Sequence, residues 1–297
     1  MDGCAIRLFR APLLTAALAA ALAVASAHAE RQTVHRVLFI GNSLTAANDL
    51  PEIVRSLAQS VGHRLDYRIV AFPDHSLEDQ WNRPEARRAL AEGQWTTVVL
   101  QQGPSALPES QRLLREYTRR FDEIIRCIGA RTALYMVWPS NARRGDFPGV
   151  SASYKAAARD VGGLLFPAGD AWLAAWQRDR ALPLYSSDGF HPSAAGSYLA
   201  ALVITQRLTG RSPIGLPAQV TSARLSLSIP ADQARVLQEA AAEVTSSIVG
   251  VAASRSFGGR WMDGASHKVV ELDCVIAGGR QCGMCDDALR DRSGSPR

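Results

Sequence analysis

The feature that most constrains this chain is the stretch Arg36-Val37-Leu38-Phe39-Ile40-Gly41-Asn42-Ser43-Leu44-Thr45. Four consecutive apolar residues predict a buried strand, and Gly41, Asn42 and Ser43 are turn formers that end it. A serine is thereby delivered to the C-terminal edge of a strand, where open α/β sheets form their ligand crevices. Residues 46–62 predict a helix, with Asn48 as its N-cap and Pro51 in its first turn. A serine after a strand is ordinarily a turn residue or a cap, so a nucleophile here needs partners elsewhere.

Those partners stand far downstream in Ser187-Asp188-Gly189-Phe190-His191-Pro192. A hydroxyl is a poor nucleophile at neutral pH and needs a base, and an imidazole needs an acceptor that fixes its tautomer. Asp188 and His191, three residues apart at the entry to a helix, can share one side of a turn. The carboxylate then reaches one ring nitrogen and leaves the other for solvent or for Ser43. Alone, Asp-x-x-His reads as an N-cap with an incidental histidine; beside Gly41-Asn42-Ser43-Leu44 the catalytic reading prevails.

Gly41-Asn42-Ser43-Leu44 resembles the Gly-Asp-Ser-Leu block of the SGNH/GDSL esterase and lipase superfamily, and Asp188-x-x-His191 resembles that family's final block. The order agrees, with the nucleophile first and Asp and His late, and the resemblance extends over residues 34–216. It implies a Ser43–His191–Asp188 mechanism of ester hydrolysis with no cofactor and no catalytic metal. It also implies an oxyanion hole in which a Gly N–H and an Asn side chain join the serine N–H. Here the corresponding blocks depart from the family. Ala71-Phe72-Pro73-Asp74-His75-Ser76 carries no glycine; Asp74 has a backbone N–H to donate and Pro73 has none. Val98-Val99-Leu100-Gln101-Gln102-Gly103 lacks the family's Asn and is similar to the Gln-Gly-Glu block of acetylesterase relatives. The resemblance therefore implies Gln102, or Gln101 in the other register, as the amide donor.

Residues 1–29 read as a secretory signal peptide: Arg7 and Arg10 precede an alanine-rich apolar run, and Ala27-His28-Ala29 forms a small-x-small cleavage pattern. The mature protein is expected to be exported, periplasmic or secreted, with no stable membrane insertion. The whole chain carries +5, and removing two arginines and one aspartate with the signal leaves +4. That is too small and too dispersed for nucleic-acid binding. Hydrophobic residues at 47% and charged residues at 21% suit one globular domain with a sizeable core, residues 30–250, followed by a tail.

Within the domain, strand and helix patterns alternate. Strands are predicted at 65–72, 96–101, 131–138 and 164–167, and helices at 77–92, 109–128, 150–161, 168–178 and 232–249. Alternation of this kind implies a parallel sheet covered on both faces, and right-handed crossovers make a three-layer, doubly wound, flavodoxin-like α/β/α sheet the expected fold. The arginines of 109–128 are expected on its solvated face. In the loop 138–146, Trp138 stacks on a sugar or acyl group or belongs to the core, and Arg143 or Arg144 meets an anion or is solvated. Residues 251–297 read as a poorly ordered tail. Its Cys274, Cys282 and Cys285 suit a disulfide in an exported protein, and their spacing with His267 fits no common zinc finger.

The expected function is an exported serine esterase acting on short acyl groups, acetyl above all, carried by carbohydrate. The alternatives are a lipase, lysophospholipase or thioesterase of the same fold, or a catalytically weak carbohydrate-binding protein.

Overall fold

The computed structural model describes residues 33–253, with side chains through residue 246. The expected signal peptide, residues 1–29, and the cysteines of the expected tail lie outside the described residues. Five strands, β1 (Val34–Gly41), β2 (Arg64–Ala71), β3 (Thr97–Leu100), β4 (Arg131–Tyr135) and β5 (Leu164–Phe166), form one sheet in the order β2-β1-β3-β4-β5. All its pairs are parallel. The strands are short and apolar because a parallel sheet is covered on both faces; Val37, Leu38, Phe39 and Ile40 are fully buried.

The helices are α1 (Ser43–Ala46), α2 (Leu50–Ser60), α3 (Leu77–Asn82), α4 (Pro84–Glu92), α5 (Pro108–Cys127), α6 (Phe147–Asp160), α7 (Ala168–Arg178), α8 (Ala194–Thr209) and α9 (Ala231–Ala253). One layer packs α2 on α8, with α7 and α9 against α8; the other runs α3, α4, α5 and α6. This is the expected three-layer, doubly wound arrangement. Strand order reverses at β1, which has β2 on one side and β3 on the other, and the crevice of such a fold opens at that switch point. Ser43, Asp74 and the glutamine block leave the C-terminal ends of β1, β2 and β3 there.

Three expectations are corrected in detail. The helix expected over 46–62 is α1, a 3-10 turn at Ala47–Asp49, and α2. Asn48 is not its N-cap: it sits at φ 53, ψ 27, followed by Asp49 at φ 50, ψ 49. Two successive left-handed residues are costly for L side chains other than Asn and Asp, whose short polar groups tolerate the region best. The helix expected over 77–92 breaks at Arg83, whose extended backbone (φ -98, ψ 147) is imposed by the following Pro84. The strand expected over 131–138 stops at Tyr135, although Met136, Val137 and Trp138 remain buried. A short antiparallel hairpin, β6 (Gln219–Thr221) and β7 (Ser226–Ser228), falls in a region where sequence periodicity gave no strand.

The arginine face of α5 behaves as expected. Arg112 pairs with Glu109 and Glu116, Arg115 and Arg119 with Asp160, and all three arginines are exposed.

Candidate active site

The turn that carries Ser43, the candidate nucleophile, is built from the inside. Asn42 caps α1, its Oδ1 accepting the Leu44 N–H at 3.0 Å, while its own Nδ2 donates to the His75 carbonyl at 3.0 Å. Gln101, fully buried at the end of β3, accepts the Asn42 N–H at 2.9 Å and the Thr45 hydroxyl at 2.6 Å through Oε1. Its Nε2 donates to Asn42 Oδ1 at 2.9 Å and to the Gln102 carbonyl at 2.8 Å. Glycine is required at position 41, because a Cβ there would collide with Gln101 Oε1 and Thr45 Oγ1. The result is a serine held at the first position of a helix, where the backbone N–H has no intrahelical partner.

His191, the candidate base, arrives on a tight loop. Tyr185 bridges Pro192, the Ser186 N–H donates to the His191 carbonyl at 2.8 Å, and Gly189 turns the chain at φ 68. Two bonds from the neighbouring loop fix it. The Asn141 N–H donates to the Gly189 carbonyl at 2.8 Å, and the Trp138 indole N–H to the Phe190 carbonyl at 3.1 Å. Trp138 itself is fully buried, stacked on Trp172 with ring centroids 3.7 Å apart. Of its two expected roles the core one holds, and it acts on the site only through Phe190. Arg143 pairs with Asp146 at 2.5 Å, and Arg144 lies over the Trp176 ring at 4.0 Å.

Ser43, His191 and Asp188 meet as expected. His191 Nδ1 lies 2.6 Å from Asp188 Oδ2, and Nε2 lies 2.9 Å from Ser43 Oγ. A carboxylate only accepts, so Nδ1 carries the proton and Nε2 of the neutral ring presents its lone pair to the serine hydroxyl. Asp188 Oδ1 also accepts from the Ser186 hydroxyl (2.7 Å) and from the N–H groups of Phe190 (2.8 Å) and His191 (2.9 Å). These donors hold its carboxyl well below the ordinary carboxylate range, the Phe190 N–H contributing most, then the Ser186 hydroxyl and the His191 ring. The side chains of His191 and Asp188 are 38% and 49% exposed, so a substrate reaches the base without a conformational change.

Ser43 opens on a cleft of about 290 Å³ lined by Asp74, His75, Gln102, Gly103 and Phe190 among others. Asp74 stands in the left-handed region at φ 60. Gln102 lines the cleft, yet its amide is committed to the wall. Nε2 donates to Ser105 Oγ and to the Ser110 carbonyl, both at 3.0 Å, while Oε1 accepts the Leu77 N–H at 3.2 Å. The expected oxyanion donor at Gln102 is therefore turned away, because the side chain closes the gap between α3 and the start of α5. Gln101 does not serve in its place, since its Nε2 donates to Asn42 Oδ1 in the serine turn and to the Gln102 carbonyl. Among the described residues, the backbone N–H groups of Asp74 and Gly103 meet no protein acceptor and border the same cleft. Also among the described residues, no group of three or more His, Cys, Asp or Glu side chains is assembled for a metal ion.

The fold and this constellation define a class: doubly wound α/β proteins with a serine hydrogen-bonded to a histidine at the sheet's switch point. No family model and no curated protein matches the chain. Among solved structures the chain is similar to a protein from Slackia heliotrinireducens assigned to the SGNH hydrolases, at 29% identity and a TM-score of 0.51, over 59% of this chain and 100% of that one. It is also similar in fold to a DUF4886 family protein from Bacteroides uniformis, at 19% identity and a TM-score of 0.58, over 71% of this chain and 95% of that one. In fold and in this constellation the chain is similar to the SGNH hydrolases, a group of ester-bond hydrolases.

Proposed function

We propose that this protein is an exported serine esterase that removes short acyl groups, acetyl above all, from a hydroxylated alcohol such as a carbohydrate. The single observation that carries the reading is the Ser43–His191–Asp188 chain, at 2.9 and 2.6 Å, on the lip of a cleft. His191 Nε2 takes the hydroxyl proton as Ser43 Oγ attacks the ester carbonyl, and the resulting imidazolium is held by the ionised Asp188. The tetrahedral oxyanion is received by the N–H of Ser43, with the N–H groups of Asp74 and Gly103 as the donors nearest to hand. His191 then passes its proton to the leaving alkoxide oxygen, and water attacks the acyl-serine by the same route, releasing the acid and restoring Ser43.

The cleft's lining supports a polar alcohol: Asn42, Asp74, His75 and Ser76 border it. A second reading, a carbohydrate-binding protein with little turnover, is favoured by one observation: the amide of Gln102, the expected oxyanion donor, and that of Gln101, its alternative, are both engaged elsewhere. Hydrolysis of p-nitrophenyl acetate by the mature protein and by Ser43→Ala separates the two. Activity that disappears in the variant supports the esterase; equal, negligible rates in both overturn it in favour of the binding protein.

A further inference from the structure

The nucleophile and the base belong to segments far apart in the chain, and the 2.9 Å contact between Ser43 and His191 spans 148 positions. Among the described residues, only one other side chain hydrogen-bonds across these two segments. Asn48, five residues after Ser43, directs Nδ2 at the Pro192 carbonyl (3.0 Å), the Ser193 carbonyl (3.1 Å) and Ser197 Oγ (2.9 Å). Pro192 is the residue next to His191. Carbonyls only accept, so the NH2 end of the amide must face them, and the orientation of Asn48 is settled by chemistry. The left-handed backbone at Asn48 turns the side chain out of the helical path and onto the entry of α8.

We propose that Asn48 is the positioning residue that sets the Ser43–His191 distance, acting as a clamp between the nucleophile turn and the histidine loop. The inference rests on the serine-hydrolase reading above. Asn48 touches neither substrate nor reacting atoms. It ties the 3-10 turn following Ser43 to the carbonyls immediately after His191, so loosening it lets the two catalytic segments drift apart while α2 and α8 remain packed. A misplacement of about 1 Å in such a pair costs on the order of 10² in rate.

The test uses Asn48→Gly, which accepts the left-handed backbone and deletes all three bonds, and Asn48→Asp, which keeps the shape but opposes a carboxylate to two carbonyls. Ser197→Ala, which removes one acceptor of the three, serves as the graded comparison. In hydrolysis of p-nitrophenyl acetate, kcat is expected to fall about 10- to 100-fold in both Asn48 variants, and less in Ser197→Ala. KM should stay within about two-fold, and thermal unfolding should remain cooperative. An unchanged kcat in Asn48→Gly, or kcat and KM worsening together by similar factors, overturns the proposal. The imidazole ¹⁵N and ¹H resonances of His191 give a readout independent of turnover: a change in Asn48→Gly supports the clamp, and identical resonances overturn it. An inactive wild type with resonances that still respond to Asn48→Gly removes the esterase reading and leaves the clamp standing.

Discussion

Gln101 and Asn42 exchange two hydrogen bonds across the β1–β3 boundary, the Asn42 N–H donating to Gln101 Oε1 and Gln101 Nε2 donating to Asn42 Oδ1, each at 2.9 Å. The serine turn is thus held from beneath by a side chain of the neighbouring strand. Replacing Gln101 by Ala leaves the Asn42 N–H and the Thr45 hydroxyl buried without their acceptor. Unpartnered buried groups cost about 1–3 kcal/mol each, so the variant, with two of them, should lose about 2–6 kcal/mol by denaturant unfolding. It should also lose most of its turnover, because the support of Ser43 goes with it.

Gln102→Ala is expected to behave differently. Removing an oxyanion donor costs on the order of 10² to 10³ in rate. With its amide protons given to Ser105 and Ser110, Gln102 is no such donor, and the variant's kcat should fall less than about ten-fold while its unfolding midpoint drops. A loss of 10² or more would show that the amide swings into the cleft during turnover.

Asp188→Asn removes the charge that orients and stabilises the imidazolium, so kcat should drop by roughly 10² to 10⁴ with KM little changed. The pH dependence has a definite sign. The folded-state value of Asp188 lies below the ordinary 3.8, so its carboxylate contributes its full stability above that value and loses it as the pH falls through the depressed one. The part of the difference in unfolding midpoint between wild type and Asp188→Asn that the Asp188 carboxylate's own titration carries should therefore be lost only below about pH 4. Any loss of wild-type activity near pH 5 arises elsewhere than at Asp188.

His75 borders the cleft with its Nδ1 2.8 Å from the Pro73 carbonyl. That nitrogen must be the donor, so the neutral ring offers Nε2 as an acceptor for a hydroxyl of the alcohol moiety. In His75→Phe, the ratio of kcat/KM for an acetylated monosaccharide to that for p-nitrophenyl acetate should fall about five-fold, the worth of one hydrogen bond of about 1 kcal/mol. A ratio equal to the wild type's would remove His75 from substrate recognition.

What is legible in the sequence is what is encoded locally. Val37 to Ser43 announces a buried strand ending in a turn, and Asp188 with His191 needs only three residues to be recognised. The alternation of strands and helices is likewise a run of local patterns, and the doubly wound sheet follows from it by general rules of chain connection. Where a proline speaks locally, as Pro84 does in breaking the helix at Arg83, the signal was present in the dipeptide. The role of Asn48 is not legible, because its acceptors lie 144 to 149 positions away and a left-handed asparagine has no neighbouring pattern to mark it. The separate tasks of Gln101 and Gln102 are not legible for a related reason, and the sequence favours Gln102 as the amide donor. Successive strand residues point to opposite faces, and only the packing of β3 against β1 and of α3 against α5 shows that one supports the serine and the other closes the wall.

The distance in sequence between Ser43 and His191 also has a consequence in time. A chain emerging from its N-terminus presents Ser43 and all five strands of its parallel sheet before His191 exists. Up to residue 190 it has a serine hydroxyl with nothing to accept the proton. On the proposed esterase reading, hydrolytic competence appears only when the loop before α8 docks, after roughly two thirds of the chain has been made, so a product arrested before His191 is inert rather than partly active.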